Sequence, residues 1–335
     1  MTLLRFLLLT GLGCACALPA PGAARAAPLP ADPAGVWTLQ DENASVSSNK
    51  VTDRYYTNGL RLGYASPTGG LPAGLAETAQ KLWGDGARRW TIDLTHQLHT
   101  PYDTKSTVAP RGDYPYSAIM MATGGLTSDT ATHRSALTVG IGMIGPSAGG
   151  QSMQNGFHDL IGQGRNRGWG RQIGNEPVVQ ITSSRVYRVK LVTVGPLETD
   201  LLPDLTAGVG TVRDYIETGM TVRLGQGLDA DFGVARLRPG LSGGDGFRPS
   251  RDVGWYVFAG VDGQAVLRDI TIDGDVFRNG PHAKRQVFMG EAQGGFGLLV
   301  LGARVTYTHV VQTEQFKSQK GGLHQFGSLA VSVRF

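Results

Sequence analysis

The sequence predicts an all-β protein: a transmembrane antiparallel β-barrel of roughly 12 strands, with a short helix in a long extracellular loop. Three observations support this fold class. Apolar and polar residues alternate with a period of two through most of the chain, the polar faces are rich in Gly, Thr and Arg, and an alternating segment ends on Phe335. These features match strands with a lipid-facing side and a polar interior side.

The alternation is clearest in four segments. In "RWTIDLTHQL", Trp90, Ile92 and Leu94 share one face and Asp93 lies on the other, and "SALTVGIGMI", "LLVLGARVTYTHV" and "SLAVSVRF" repeat the pattern. A soluble antiparallel sandwich with one wet face shows the same alternation. Aromatic residues near strand ends, such as Tyr64, favour the barrel, because an interfacial girdle places aromatics there.

Length and composition bound the architecture. The chain has 335 residues, and at ~10 residues per strand plus loops it accommodates roughly 12 strands. We therefore expect residues 27–335 to form one barrel domain in the outer membrane of a Gram-negative bacterium. The net charge is only +4 and the Arg residues are scattered, which argues against nucleic acid as a partner. After the leader no segment reaches ~18 apolar residues, which excludes membrane-spanning helices.

The first residues predict a secretory signal peptide. One early positive charge, Arg5, precedes an apolar run, and Ala-Arg-Ala at 24–26 fits a cleavage signal, so residues 1–26 are expected to be removed. A membrane anchor is the alternative, but the run is shorter than the ~20 residues that a span needs. A lipoprotein at Cys14 is a further alternative with a poor attachment sequence. Cys14 and Cys16 both lie in this leader, so the exported chain has no cysteine.

One segment between Ile144 and Val178 departs from the period of two. Apolar residues in "SMQNGFHDLIG" recur at helical spacing, which predicts a short amphipathic helix capped by Ser152 and ended by Gly162. Those apolar residues are Met153, Phe157, Leu160 and Ile161. Gln154 and His158 are four residues apart and share a second helix face. Long ordered loops of this kind tend to be functional.

His158 is the strongest candidate for chemistry in this helix. An imidazole exchanges protons near neutral pH and acts as a general base. The other interpretation is an exposed or packing histidine, which suits the six remaining histidines. The placement of His158 on a helix opposite an apolar face favours the functional interpretation.

Several long motifs resemble one family. "DENASVSSNKVTDRYYTNGLRLGY", "IGPSAGGQSMQNGFHDLIG" followed by "GWGRQIGNEP", and the intervening "TPYDTK" and "RGDYPYSA" are similar to segments of the outer-membrane lipid A deacylase family (lipid A 3′-O-deacylase-like). The resemblance runs from about Val36 to Phe335. It implies a twelve-stranded outer-membrane barrel. It also implies ester hydrolysis of the 3′-linked acyloxyacyl group of lipid A, with a His base, an activated water and Ca²⁺ at the oxyanion.

The resemblance also assigns site residues. His158 matches the catalytic base of the family, and Asn43 and Thr57 match an Asn and a Thr that line the site. Lys105 falls beside the site lysine, one residue out of register. Gln154 matches the Gln before the His and is expected to bind substrate.

Two departures from the family pattern concern the metal. Ala44 and Gly164 stand where acidic residues are expected, and Ca²⁺ takes most of its affinity from carboxylates. We therefore expect Ca²⁺ to depend on substitute ligands: Glu42, which shares a strand face with Ala44, together with Asn43 and Asp53. Asp41 is a further substitute, and Asp159 points away from the base.

The stretch that includes Thr57 supplies the remaining candidates. Thr57 and Asn58 are expected to face the site, with Leu60, Leu62 and Tyr64 facing lipid. Arg54 and Arg61 either bind substrate phosphates or line the lumen. Tyr55 and Tyr56 are interpreted as interfacial belt residues.

The resulting functional hypothesis is an outer-membrane carboxylic ester hydrolase acting on lipid A or lipopolysaccharide. Its partners are outer-membrane lipids and, through the terminal aromatic strand, the barrel assembly machinery. Two alternatives stay open: a structural or pore-forming barrel that has lost catalysis, and a Ser–His phospholipase using Ser152.

Overall fold

The computed structural model describes residues 29–46, 53–108, 111–234, 236–237 and 246–335. The predicted signal peptide, residues 1–26, lies outside the described residues, so its cleavage stays a prediction. None of the helices in the described part combines the length and the apolar character needed to cross a bilayer.

Strands dominate the described residues. They are β1 Val36–Asn43, β2 Tyr55–Ala65, β3 Ala87–Thr100, β4 Ser117–Asp129, β5 His133–Ile144, β6 Glu176–Tyr187, β7 Val189–Val194, β8 Leu197–Gly210, β9 Arg213–Gln226, β10 Val253–Asp269, β11 Phe288–Val300, β12 Ala303–Gln312 and β13 His324–Arg334. The helices are α1 Ala73–Trp83, α2 Gly150–Ile161 and α3 Ile270–Asp273. Short 3₁₀ turns lie at Ala44–Val46, Pro146–Ala148, Gly168–Arg171 and Leu228–Ala230.

The strands close into a ring. β1 pairs with β2 on one side and with β13 on the other, and β6 pairs with β8, all antiparallel. β7 continues β6 beyond Arg188 and pairs with the first residues of β8. β6 and β7 therefore share one position, and the barrel has twelve strands, as predicted. Closure leaves no free sheet edge, which a membrane-embedded sheet requires.

The two ends of the barrel differ in what they carry. β1 begins and β13 ends at one end, called the terminal end below. The opposite end, called the site end, carries the connections that follow β1, β3, β5, β8, β10 and β12. α2 lies in the connection after β5, where the change of period predicted it.

The outer surface is an apolar belt, as the alternation predicts. Leu39 and Ile141 are 63% and 61% exposed, whereas the interior-facing Arg61 and Asp93 are buried. Near the terminal end Tyr64 packs between Trp37 and Trp90, with ring centroids 5.0 and 5.1 Å apart. We call this surface the outer belt, and it has the character of a lipid-facing band.

The barrel interior is filled by ion pairs and by a segment from the terminal end. Arg223 on β9 pairs with Asp200 on β8 and with Asp231 of the connection after β9, both at 2.6 Å. Further along this connection, Arg236 pairs with Glu291 at 2.6 Å. Residues 227–234 and 236–237 therefore run inside the barrel.

Aromatic side chains close the interior at the site end. Tyr114 donates or accepts a hydrogen bond with Thr271 Oγ1 at 2.7 Å, and its ring stacks on His99 at 5.5 Å. This cluster contains Tyr55, Tyr114, Ile272, Ala283 and Phe316. The interpretation of Tyr55 and Tyr56 as belt residues is wrong. Tyr55 is buried in this cluster, and the Tyr56 hydroxyl donates to Glu42 inside the barrel at 3.0 Å.

Candidate functional site

Helix α2 lies against the outer face of the barrel wall. His96, which shares the outer face of β3 with Leu94, donates from Nε2 to the carbonyl of Ala148 at 2.8 Å. Gly150, the first helical residue, packs so closely that an added Cβ would lie 2.5 Å from Ala118 Cβ and 2.6 Å from the Trp169 ring. A glycine is therefore required where the helix meets the wall.

Glycines set both ends of α2. Gly149 before the helix and Gly162 after it adopt left-handed conformations, with φ of 73° and 71°. The predicted end at Gly162 is confirmed. The predicted cap by Ser152 is wrong, because Gly149 starts the helix without a side-chain cap and Ser152 lies inside it, exposed.

His158 lies between a carbonyl and a carboxylate. Its side chain is buried, with Nδ1 2.8 Å from the carbonyl oxygen of Gly164 and Nε2 2.7 Å from Asp53 Oδ2. Gly164, where the family pattern has an acidic residue, thus contacts the imidazole through its main chain. Asp53 comes from the connection before β2, so two loops of the site end meet at this ring.

A pair of asparagines holds this arrangement. Asn155 on α2 donates to the carbonyl of Asn166 at 3.2 Å and accepts from its N–H at 2.9 Å. The Asn166 side chain then donates to Asp53 Oδ2 at 3.4 Å. The two-way amide contact fixes the chain after the helix against the helix itself, which positions the partner of His158.

Gln154 presents a free amide nitrogen next to His158. The indole N–H of Trp169 can only donate, and it lies 2.8 Å from Gln154 Oε1. The Gln154 amide is therefore oriented, and its Nε2 is buried without a hydrogen-bond partner. Because Gln154 and His158 are one helical turn apart, this donor and the imidazole lie on the same face of α2.

Thr57 reaches the site through Thr100. The Thr57 and Thr100 hydroxyls lie 2.7 Å apart, and Thr100 Oγ1 donates to the main-chain carbonyl of Asp53 at 3.0 Å. Since the Thr100 hydrogen is used on Asp53, Thr57 is the donor within the threonine pair, and the Tyr55 carbonyl at 3.4 Å is a longer second acceptor for the same hydroxyl. The bulge between Tyr56 and Asn58 places Thr57 at this position.

Asn43 lies on β1, the strand next to the β2 strand that carries Thr57, and its side chain is on the outer face of the barrel. It is the register partner of Asn58, and its amide oxygen accepts from Ser45 N and Oγ at 2.8 and 2.5 Å. Within the described residues its amide NH₂ has no protein partner. Asn58 uses its own NH₂ on Asp41 Oδ1 at 2.7 Å and on the carbonyl of Glu42.

Two predicted site residues lie inside the barrel instead. Glu42 faces the interior of β1, opposite to Asn43, and its carboxylate accepts from Tyr56 and from the N–H of Leu237. Arg61 pairs with Asp93 at 2.7 Å in the interior, which corresponds to the lumen-lining alternative. The chain leaves β1 directly after Asn43 into a 3₁₀ turn, so the strand face shared by Glu42 does not continue to the site.

Basic side chains flank the site without joining the His–Asp pair. The Arg54 guanidinium lies over the Tyr102 ring at 5.4 Å, and the Lys320 ammonium lies 6.0 Å from the same ring. Lys105 is exposed in the neighbouring loop. Arg165, which follows α2, bonds to Asp159 on the helix at 2.5 Å and holds the pKa of Asp159 below its ordinary value.

The predicted metal ligands do not converge among the described residues. Glu42 faces the interior, the Asn43 oxygen is bound by Ser45, and Asp53 contacts His158 and Asn166. In the described part of the chain no three His, Cys, Asp or Glu side chains form a cluster that fits a metal. The donor set therefore does not fit a preformed Ca²⁺ site, which needs several oxygens.

Sequence reasoning missed Asn166, Thr100 and Trp169. Asn166 and Thr100 each hydrogen-bond to Asp53 and Trp169 hydrogen-bonds to Gln154, and only the folded loops create these contacts. The nearest signal was the motif "GWGRQIGNEP", which contains Trp169 but assigns it no role.

The fold and the site together define a class. A closed antiparallel barrel with an apolar outer belt, a charged interior and a polar site at one end is an integral outer-membrane barrel protein with a surface site. The family model described as outer membrane protein LpxR matches residues 7–335. The chain belongs to the LpxR outer membrane protein family, and it is an integral protein of the outer membrane.

Solved structures support the same architecture. LpxR from Salmonella typhimurium superposes with a TM-score of 0.75 at 20% identity, covering 90% of this chain and 100% of that chain. The β domain of the Bordetella autotransporter BrkA reaches a TM-score of 0.41 at 10% identity, covering 91% and 98% of the two chains. The first match shows the shared fold, and the second carries no argument. No curated protein matches the sequence.

Proposed function

We propose that this protein is an outer-membrane esterase that hydrolyses an ester-linked acyl (acyloxyacyl) chain of lipid A. Family membership supports the substrate class, and the position of α2 on the outside of the barrel wall supports a membrane lipid as substrate. The observation that carries the proposal is His158, buried at the barrel rim and held between Gly164 and Asp53.

His158 is the general base. Because Nδ1 donates to the Gly164 carbonyl, Nε2 is the nitrogen that takes the proton from water. The water oxygen then attacks the ester carbonyl carbon. As the tetrahedral intermediate collapses, the bond to the sugar oxygen breaks and the imidazolium returns its proton to that oxygen. The products are the free acid and a sugar hydroxyl.

Asp53 stabilises the charged ring. Both imidazole nitrogens face acceptors in the structure, which is the arrangement of the protonated ring formed after proton transfer. A carboxylate 2.7 Å from Nε2 favours that state, because charge-assisted hydrogen bonds are roughly twice as strong as neutral ones. The attacking water enters between Asp53 and Nε2, so the carboxylate leaves direct contact but stays beside the ring that becomes charged.

Gln154 and Asn43 supply the oxyanion donors. The Gln154 Nε2 is buried, oriented and unpartnered, which is the preorganisation that an oxyanion site needs. Asn43 adds a second amide whose orientation is set by Ser45. Thr57 supports the site by positioning Asp53: its hydroxyl donates to Thr100, which donates to the main-chain carbonyl of Asp53.

Arg54 and Lys105 bind the charged head group. Arg54 follows Asp53 in the chain, and its guanidinium lies over the ring of the exposed Tyr102. The planar guanidinium of arginine is suited to binding phosphate oxygens. Lys105 extends this basic rim. The head group of lipid A or lipopolysaccharide is thereby held above the outer belt, with the acyl chains directed along the belt.

Calcium stays a prediction, and no step above depends on it. A titration of purified protein with Ca²⁺ and with EDTA measures the dependence. Activity that persists in EDTA would show that the described residues act without Ca²⁺. Complete loss in EDTA with recovery in Ca²⁺ would show that substrate or undescribed residues complete a cation site.

The competing functions have weaker support. Ser152, the nucleophile of the phospholipase hypothesis, is exposed on another flank of α2. The interior segment and the aromatic cluster close both ends of the barrel, which disfavours a pore. The replacement of the acidic residues at Ala44 and Gly164 supports a catalytically inactive barrel, but the Gly164 main chain supplies a contact to His158 in its place.

The test is the mass of lipid A after incubation with purified protein. Wild type is expected to release one acyl group, and His158→Ala is expected to release none. Asp159→Asn is the matched control, because Asp159 is on the same helix and its side chain hydrogen-bonds to Arg165 and not to the His158 ring. Intact lipid A with wild type, with and without divalent cations, would refute the esterase.

A further inference from the structure

The amphipathicity of α2 is inverted relative to a helix on a soluble protein. Its polar residues Gln154 and His158 are buried against the wall, while its apolar side chains are exposed. The exposed side chains are Met153 45%, Phe157 53%, Leu160 81% and Ile161 48%. We call these four residues the apolar flank. A soluble surface seldom carries such a contiguous patch without a partner.

The apolar flank begins at the upper margin of the outer belt. The 3₁₀ turn before α2 is bonded to His96 on the outer face of β3. The register partner of His96 on β4 is Met120, which is half exposed on the same outer face. The helix therefore starts directly beside the belt, outside the barrel, and its apolar side chains extend the belt surface.

Two other sides of α2 have partners. One side packs on Ala118 and Trp169, and the flank opposite the apolar residues is joined by Asn155 to the loop at Asn166. Polar contacts thus tie the helix to the rim and its loop. The apolar flank has no protein contact among the described residues that accounts for its four large apolar side chains.

We propose that the apolar flank of α2 is inserted among the acyl chains of the outer leaflet. The occupant is membrane lipid, because the flank continues a surface whose lipid contact follows from the fold. In-plane helices with an apolar side and a polar side bind bilayers in this way. Insertion of the flank places His158 at the depth in the leaflet where the ester bonds of a lipid lie. The link from this depth to ester hydrolysis rests on the proposed function.

The flank then governs access of bilayer substrate, not the chemistry. A lipid moving within the leaflet meets the flank before it meets Gln154 and His158. A water-soluble ester reaches the same residues without touching the flank. Presentation in a bilayer and hydrolysis of the bond are therefore separable properties.

The first experiment uses single-cysteine probes, since the chain after residue 26 has no native cysteine. Leu160→Cys and the control Ser152→Cys are each labelled with a bimane and reconstituted in vesicles with bromine-labelled acyl chains. The Leu160 probe is expected to be quenched several-fold more strongly than the Ser152 probe. Equal quenching overturns the proposal. So does a Leu160 probe that is shielded from water but not quenched, because a second copy or another protein then covers the flank.

The second experiment separates this inference from the proposed function. The double variant Phe157→Ser, Leu160→Ser is compared with wild type on lipid A in vesicles and on a soluble short-chain ester. The ratio of vesicle rate to soluble rate is expected to fall about tenfold, and an unchanged ratio contradicts the proposal. If wild type cleaves neither substrate, the esterase fails, while the quenching result still decides where the flank lies.

Discussion

Replacing Asp53 by Asn tests the electrostatic part of the mechanism. The 2.7 Å contact to His158 Nε2 is charge-assisted, and such bonds contribute about 1.5–3 kcal/mol against about 1 kcal/mol for neutral ones. Asp53→Asn keeps an acceptor but removes the charge, so about 1–2 kcal/mol of transition-state stabilisation is lost. That corresponds to a fall in kcat of about 5- to 30-fold.

A second substitution at the same position, Asp53→Ala, extends the test. Asp53→Ala removes both acceptor and charge, and about 2–3 kcal/mol predicts a loss of about 30- to 150-fold. The assay is initial release of free acid from lipid A in mixed micelles, with KM and kcat determined separately. KM should change little, because Asp53 contacts the base and not the acyl chain.

Two results would refute this reasoning. A kcat of Asp53→Asn at or above the wild-type value would mean that Asp53 restrains His158 and does not assist it. A loss as large as that of His158→Ala would make Asp53 indispensable for another reason, such as binding a cation. Asp159→Asn is the control, expected within about twofold because that carboxylate is solvated and paired only with Arg165.

Three further predictions address the rest of the site and the barrel. Gln154→Ala should lower kcat by about 10²- to 10³-fold. Gln151 is an exposed residue of the same helix, and Gln151→Ala should leave kcat unchanged. Equal effects of the two substitutions would exclude an oxyanion role for Gln154. Asn155→Ala removes two hydrogen bonds of about 1 kcal/mol each and should lower kcat about 3- to 10-fold. The melting temperature, measured by circular dichroism, should change little. An unchanged kcat would mean that the asparagine pair does not position Asp53. Reconstituted wild-type protein should show no single-channel conductance in planar bilayers, and steady channel steps would show that residues 227–237 do not close the interior.

The alternation of residues, together with the Gly-, Thr- and Arg-rich polar faces and the aromatic residues near strand ends, predicted the barrel. A period of two assigns each strand residue to lipid or to the interior. The structure agrees with this assignment, because Asp93 is buried in the interior and the neighbouring Leu94 is exposed on the outer surface. Chain length then limited the strand number. The interior segment was not predictable, because residues 227–237 have no periodicity and their contacts to Glu42 and Glu291 come from distant strands.

The site was predicted in part. The helical spacing of Gln154 and His158 is local information, and their shared face is confirmed. The prediction placed Glu42 at the site because it assumed that the strand face shared by Glu42 and Ala44 continues past Asn43. In the structure β1 ends at Asn43, and the 3₁₀ turn that follows changes the direction of the chain. Asp53 was named as a metal ligand, yet the structure shows it bonded to His158, a contact between loops about a hundred positions apart that no local pattern encodes.

Hydrolysis in ¹⁸O-labelled water tests the central claim most directly. If His158 activates water to attack the ester carbonyl, wild-type protein incubated with lipid A in H₂¹⁸O releases a fatty acid carrying one ¹⁸O atom, and His158→Ala releases none. Mass spectrometry of the released acid reads the outcome. An acid without the label, or an acyl group found on another lipid instead of in free acid, would contradict the mechanism.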